Sequence, residues 1–139
     1  MEIDLEAMNA SVQDKLPGYL GMKLVELEEG RAVATMPVEA KHHQPYGILH
    51  GGASVALAET VASMGGWYLV HPENKVVVGL EINANHVRKV SSGILKAEAQ
   101  VLHRGRTTQV WEIKIENEAG NLVCISRCTL AVIDVPSGG

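Results

Sequence analysis

Helical and strand-like spacing of hydrophobic positions alternate along this chain. Over residues 5–16, from Leu5-Glu6-Ala7-Met8 onward, apolar residues recur at helical spacing until Pro17-Gly18 stops the run. Residues 19–28 and 31–38 predict a hairpin around Glu29-Gly30, with Ala32, Ala34, Met36 and Val38 on one face. A polar loop follows, Lys41-His42-His43-Gln44-Pro45-Tyr46-Gly47. From about 51 to 69 the pattern is that of a helix apolar almost all round, closed by His71-Pro72. Everything after it alternates at strand period. Residues 75–90 place Val76, Val78, Leu80 and Ile82 on one face, and 93–103 bury Leu95, Ala97, Ala99 and Val101. Residues 106–117 show Gln109, Trp111, Ile113 and Ile115, and 121–134 end in Leu130-Ala131-Val132-Ile133, with Glu118-Ala119-Gly120-Asn121 as the turn between these last two strands.

The order is helix, two strands, one long apolar helix, four strands, with no repeat and no linker, so one α+β domain over residues 1–139 is expected, residues 1–17 being its N-terminal helical segment. A helix apolar around most of its circumference needs covering on several sides, which a curved antiparallel sheet supplies. That arrangement, a long central helix wrapped by the sheet, is the hotdog fold. So small a sheet leaves an edge and a face to cover, and a homo-oligomer, a dimer or a dimer of dimers, is expected.

Composition narrows the function classes. A net charge of −4 argues against nucleic acid as the main partner. Glu59 and Ser63 interrupt the longest apolar run, so no membrane span is expected. Met1-Glu2-Ile3-Asp4-Leu5-Glu6 is acidic and lacks the basic start of a secretion signal. Cys124 and Cys128 lie four apart in one predicted strand, about 13 Å at the strand rise, too far to pair with each other. A reduced, cytoplasmic protein is the expectation.

The chemistry concentrates in His50-Gly51-Gly52-Ala53-Ser54-Val55-Ala56-Leu57-Ala58-Glu59. A histidine and two glycines open the helix, whose first N–H groups are free to meet an anion or a polarised carbonyl. A single carboxylate then sits within the apolar run, where burial is costly and marks chemistry more often than packing. Val55, Glu59 and Ser63 share one stripe at i, i+4, i+8. A solvent-facing glutamate on an ordinary core helix is the alternative, but Leu57, Ala58, Val61 and Ala62 leave no charged face for it.

Three segments resemble the hotdog-fold acyl-CoA thioesterases: residues 44–60 (Gln44-Pro45-Tyr46-Gly47 through Glu59-Thr60), 78–86 (Val78-Gly79-Leu80-Glu81 through His86), and 125–133 (Ile125-Ser126-Arg127-Cys128 through Ile133). The likeness covers nearly all of the chain beyond residue 17. Within that family it is to the branch that hydrolyses 1,4-dihydroxy-2-naphthoyl-CoA in menaquinone biosynthesis and to the related carrier-protein proofreading thioesterases. The resemblance implies Glu59 as the catalytic carboxylate, either nucleophile or base, and Gly51 as the N–H that polarises the thioester carbonyl. It implies Gln44 and His50 as side chains that position that carbonyl, and Ser63 as the residue that orients water or carboxylate. His86 and Arg88 match positions near the CoA nucleotide, and Val78, Leu80 and Met64 complete the substrate-binding expectation. No metal or organic cofactor is implied, because a thioester lacks the resonance protection of an amide.

Other features are weighed beside these. Gly52-Ala53-Ser54-Val55-Ala56 nearly matches the G-x-S-x-G nucleophile elbow, but lacks its last glycine and follows a loop rather than a strand, so Ser54 reads as a first-turn helix residue. His42, His43 and His50 fit no metal-ligand spacing. Arg88 and Lys89, with His86, form one cationic set with Arg104-Gly105-Arg106 and His103 if strands three to five are neighbours, a set suited to CoA phosphates; plain solubility is the alternative. The functional expectation is release of an aromatic acid and CoA from an acyl-CoA. Another aryl- or phenylacetyl-CoA, or a carrier-protein-bound acyl group, stands beside 1,4-dihydroxy-2-naphthoyl-CoA as substrate. A hotdog hydratase or dehydratase would need a histidine-led motif with an adjacent acid, which is missing at the matching place. A non-catalytic acyl-CoA-binding module would be favoured by a solvent-facing Glu59.

Overall fold

The computed structural model describes residues 3–137. Two short helices, α1 (Leu5–Ser11) and α2 (Leu16–Tyr19), precede the hairpin β1 (Lys23–Glu28) and β2 (Arg31–Pro37). The long helix α3 (Gly51–Val70) is followed by β3 (Lys75–His86), β4 (Ile94–Arg104), β5 (Thr108–Glu116) and β6 (Leu122–Asp134). All six strands form one antiparallel sheet in the order β1-β2-β4-β5-β6-β3, wrapped around α3.

The core lies between helix and sheet. Leu57, Ala58, Val61, Ala62 and Leu69 of α3 are buried with Leu95, Ala97, Ala99, Trp111, Ile113, Ile115 and Leu130. Glycine brings the helix close to the strands at two places. A Cβ on Gly65 would stand 2.7 Å from the Trp111 ring, and one on Gly66 would stand 2.6 Å from Leu130. The indole N–H of Trp111 donates to Gln109 Oε1 at 2.8 Å, and Gln109 Nε2 donates to the Gly66 carbonyl at 3.3 Å, so the buried amide is satisfied on both sides.

Three expectations need correction. The first helix is two helices, broken at 12–15, and Pro17 sits at the start of α2 instead of stopping α1. A proline costs little there, since the first turn has no intrahelical acceptor for its missing N–H. The alternation expected through residues 75–90 also fails midway. A bulge between Gly79 and Glu81 inserts Leu80 as an extra residue, so Val77 packs inward before it and Ile82 and Ala84 after it. Val78 and Leu80 are left outside, 44% and 60% exposed. Finally, β3 pairs with β6 and stands at the edge of the sheet, three strands from β4.

The two sheet edges are treated differently. Beside β1, the Asn9 side chain donates from Nδ2 to the Leu24 carbonyl at 2.9 Å and accepts the Leu24 N–H at 2.8 Å. This imitates a paired strand and covers the edge. Along β3 no described element does the same.

Candidate functional site

The loop before α3 is built on backbone-anchored imidazoles. His42 is buried; its Nδ1 accepts the Glu39 N–H at 3.0 Å, which leaves Nε2 to donate to the Leu20 carbonyl at 2.7 Å. His43 Nε2 meets the Ser91 carbonyl at 2.8 Å. His50 caps α3, its Nδ1 accepting the Gly52 N–H at 2.8 Å, so the ring proton is on the exposed Nε2. Gln44 accepts the Tyr46 N–H on Oε1, which leaves its amide nitrogen as a donor without a partner among the described residues. With Gly52 capped, the Gly51 N–H is the first backbone donor of α3 left unused.

Two clefts flank this helix start. An apolar one of about 730 Å³ runs along α3 past Gly52, Ala56, Glu59, Ser63, Met64 and Trp67. Its opposite side is made by Met8, Val12, Leu16 and Pro17 of the N-terminal segment. A more polar cleft of about 480 Å³ is lined by Gln44, Gly51, Ser54, His86, Arg88 and Lys89. His86 lies over Gly51 so closely that a Cβ on that glycine would stand 2.9 Å from Nε2. Ser54 Oγ is buried beside this cleft with no hydrogen-bond partner.

Glu59 is half-buried and has no hydrogen-bonding partner among the described residues. Its carboxylate lies against Gly79 of β3, inside the space a side chain there would fill. Ser63, one turn on, lines the same cleft. The Cys128 thiol is pushed up to about 12, chiefly by burial and then by the negative charges of Glu59 and Glu81; burial also raises Cys124.

The structure thus divides the expected site residues. Glu59, Ser63 and Met64 share the apolar cleft, Gln44, Gly51, His86, Arg88 and Lys89 share the polar one, and His50 stands at the helix cap. Val78 and Leu80 line neither, because the bulge turns them away. The single cationic set does not form within the chain. Arg104 is level with Gln109, Leu130 and Gly79, whereas His86 lies six register steps farther along β3, about 20 Å at the strand rise. Arg104 pairs with Glu29 at 3.2 Å and donates to the Leu69 carbonyl at 2.9 Å near the end of α3. Gly105 donates to the Thr108 carbonyl at 2.8 Å, and Arg106 is exposed beside it. Sequence reasoning missed Met8, Val12, Leu16 and Gly79. The apolar spacing of Leu5, Met8 and Val12 was a signal for the first two, but nothing in it said which surface they would meet.

Comparison with known proteins gives a consistent result. Residues 46–124 match the family model described as the thioesterase superfamily. A relative from Listeria monocytogenes named 1,4-dihydroxy-2-naphthoyl-CoA hydrolase is 50% identical over 113 residues, 81% of this chain and 91% of its own length. The proofreading thioesterase EntH of Klebsiella pneumoniae is 48% identical over 132 residues, 95% of this chain and 96% of its own. A crystal structure of a thioesterase from Haemophilus influenzae superposes with a TM-score of 0.92 at 44% identity, covering 99% of this chain and 95% of that one.

Proposed function

The chain belongs to the thioesterase superfamily, and on that premise we propose that it hydrolyses an aromatic acyl-CoA, foremost 1,4-dihydroxy-2-naphthoyl-CoA of menaquinone biosynthesis, to the free acid and CoA. The observation that carries this reading is the lone half-buried carboxylate of Glu59 in an apolar cleft beside a helix start with an unused N–H. The apolar cleft takes the acyl group. Gly51 N–H, helped by the amide N–H of Gln44 and by His50 Nε2–H, donates to the carbonyl oxygen and stabilises the charge that grows on it. Glu59 acts in one of two ways. As base it takes a proton from the attacking water, the C–S bond breaks, and CoA leaves with that proton. As nucleophile it attacks the carbonyl carbon itself, expels the CoA thiolate, and forms a mixed anhydride that water then hydrolyses to the free acid. Ser63 orients the attacking group, and Arg88, Lys89 and His86 hold the phosphate end of CoA.

A productive carbonyl must lie about 3 Å from both the attacking group and the oxyanion donor. Gly51 and Glu59 are eight residues apart, about 12 Å of helix rise, and a side chain leaning toward the helix N-terminus recovers only part of that. Each complete site therefore combines Glu59 of one protomer with the α3 start of a second copy, and the uncovered edge of β3, bearing the exposed Val78 and Leu80, is where the copies meet.

The experiment is release of free thiol from dihydroxynaphthoyl-, hydroxybenzoyl-, phenylacetyl- and aliphatic acyl-CoA. Preference for the aroyl thioesters supports the proposal; no release from any of them overturns it. The relative named as a proofreading thioesterase favours one second reading, an aroyl group on a carrier protein, which a matched carrier-bound thioester in the same assay separates.

A further inference from the structure

We propose that the N-terminal segment α1–α2 is the specificity wall of the acyl cleft, with Met8, Val12 and Leu16 setting how broad an acyl group is admitted. This deepens the thioesterase reading and rests on it.

The first observation is placement. Met8, Ser11, Val12, Leu16 and Pro17 face Ala56, Glu59, Ser63, Met64 and Trp67 across one cleft. From Glu59 the cleft continues along α3 to Trp67, eight residues or about 12 Å. An acyl group whose carbonyl is held near Glu59 thus has its far end between α3 and the N-terminal segment. The occupant is apolar by the chemistry of both walls, which carry methionine, valine, leucine and tryptophan.

The second observation is fixity. A wall discriminates by shape only if it holds its position, and this segment is tied at both ends. Asn9 is clamped to Leu24 by the paired hydrogen bonds at 2.9 and 2.8 Å. The Leu20 carbonyl, just past α2, accepts from the buried His42 ring at 2.7 Å. Leu5, Met8 and Leu20 also pack on the core. Between these anchors Leu16 is left 60% exposed, although it lines the cleft. A large aliphatic side chain rigidly held and unburied at the mouth of an apolar cleft is accounted for by an apolar ligand closing against it.

The test compares two acyl sizes on the full-length protein. Val12→Phe adds bulk to the wall and should lower kcat/KM for a bicyclic naphthoyl-CoA at least tenfold more than for benzoyl-CoA. Leu16→Ala should shift the ratio the other way. Ser11→Trp, at an exposed position on the same wall, provides a variant independent of core packing, and Asn9→Ala should relax the size preference by freeing the wall. Light scattering on each variant shows whether the oligomer is kept. Equal losses on both substrates, an unchanged ratio in Val12→Phe and Ser11→Trp alike, or a change of oligomeric state in the variants overturns the proposal. In the last case the cleft is an interface. A wild-type protein inactive on every thioester would instead refute the function on which the proposal rests.

Discussion

Adding one methyl group at Gly79 should disable the enzyme while leaving it folded. The Gly79 backbone does not use the left-handed conformation reserved for glycine, so alanine is locally acceptable. Reduced freedom of the unfolded chain then favours the variant by about 0.4–1 kcal/mol. The new Cβ, however, would fall within 3.0 Å of Glu59 Oε2, against an ordinary contact that starts near 3.4 Å. Neighbouring backbone is not what it strikes; it strikes the free end of a flexible side chain, so the carboxylate retreats by roughly 1 Å and the fold absorbs the change. A displacement of that size at a reacting group costs on the order of 10²-fold in rate, or about 2.7 kcal/mol of barrier. The assay is kcat and KM for thiol release from an aroyl-CoA, with thermal melting of the same samples. The Gly79→Ala, Glu59→Gln double variant decides whether the effect passes through Glu59, since residues acting through one group do not add. It should be no slower than Glu59→Gln alone. If Gly79→Ala keeps more than about a third of wild-type kcat, far short of the expected loss, or if the two losses multiply in the double variant, then Glu59 is not the reacting carboxylate held against β3.

Other consequences are open to direct measurement. Glu59→Gln should lower kcat by a factor on the order of 10²–10⁴ with stability held or raised and CoA affinity unchanged; more than about a tenth of wild-type turnover would refute the role. Arg88→Ala should raise KM for acyl-CoA at nearly constant kcat, and matter far less for a short pantetheine thioester without a nucleotide; an equal loss on both substrates would remove Arg88 from the phosphate site. Mixing two inactive variants, Glu59→Gln and one altered at the α3 start such as Gly51→Val, should restore partial activity through hybrid sites, and a monomer in light scattering would exclude such sites. With Cys128 raised to about 12 and Cys124 also raised, both thiols should ignore a thiolate-selective reagent at pH 8 until the protein is unfolded; rapid labelling of the native protein would contradict their burial.

The parts of the fold read correctly from sequence are those governed by one repeating period. Gln109, Trp111, Ile113 and Ile115 alternate without interruption and are all fully buried, and α3 starts and ends within a residue of where its apolar run and the His71-Pro72 stop place it. The failures are events a period cannot express. One extra residue at Leu80 reverses the facing of β3, and hydrophobicity does not reveal it because Val76, Val77 and Val78 are all valine. Strand order is a non-local outcome, so pairing of β3 with β6 rather than β4 moved Arg104 and Arg106 away from Arg88 and Lys89. The candidate residues at and along α3 stand out in the sequence because glycine, histidine and an isolated glutamate break a local pattern. The facing wall was not, because Met8, Val12 and Leu16 are ordinary apolar residues until the fold sets them opposite Glu59.

On the proposed mechanism, the two clefts call for a second copy of the chain. A helix presents unused N–H groups at its start and nowhere else, while a carboxylate kept from bulk water needs the apolar flank that only the middle of α3 provides. One straight helix therefore separates the two halves of the chemistry by construction, and shortening the spacing would bring Glu59 to the exposed, polar first turn beside His50 and Gly52. On the proposed mechanism, two copies with α3 antiparallel would resolve the conflict, each bringing its helix start to the middle of the other. The sheet is arranged for the same outcome. The Asn9 clamp closes the β1 edge, whereas β3, the strand against which Glu59 lies, keeps its edge and the exposed Val78 and Leu80 available for pairing. Covering that edge with a second copy would remove an exposed row of backbone donors and acceptors and, on the proposed mechanism, bring a second polar cleft to the apolar one. If the copies pair there, assembly would complete the active site, and a substitution that blocks β3 pairing should abolish hydrolysis without touching any of the reacting groups.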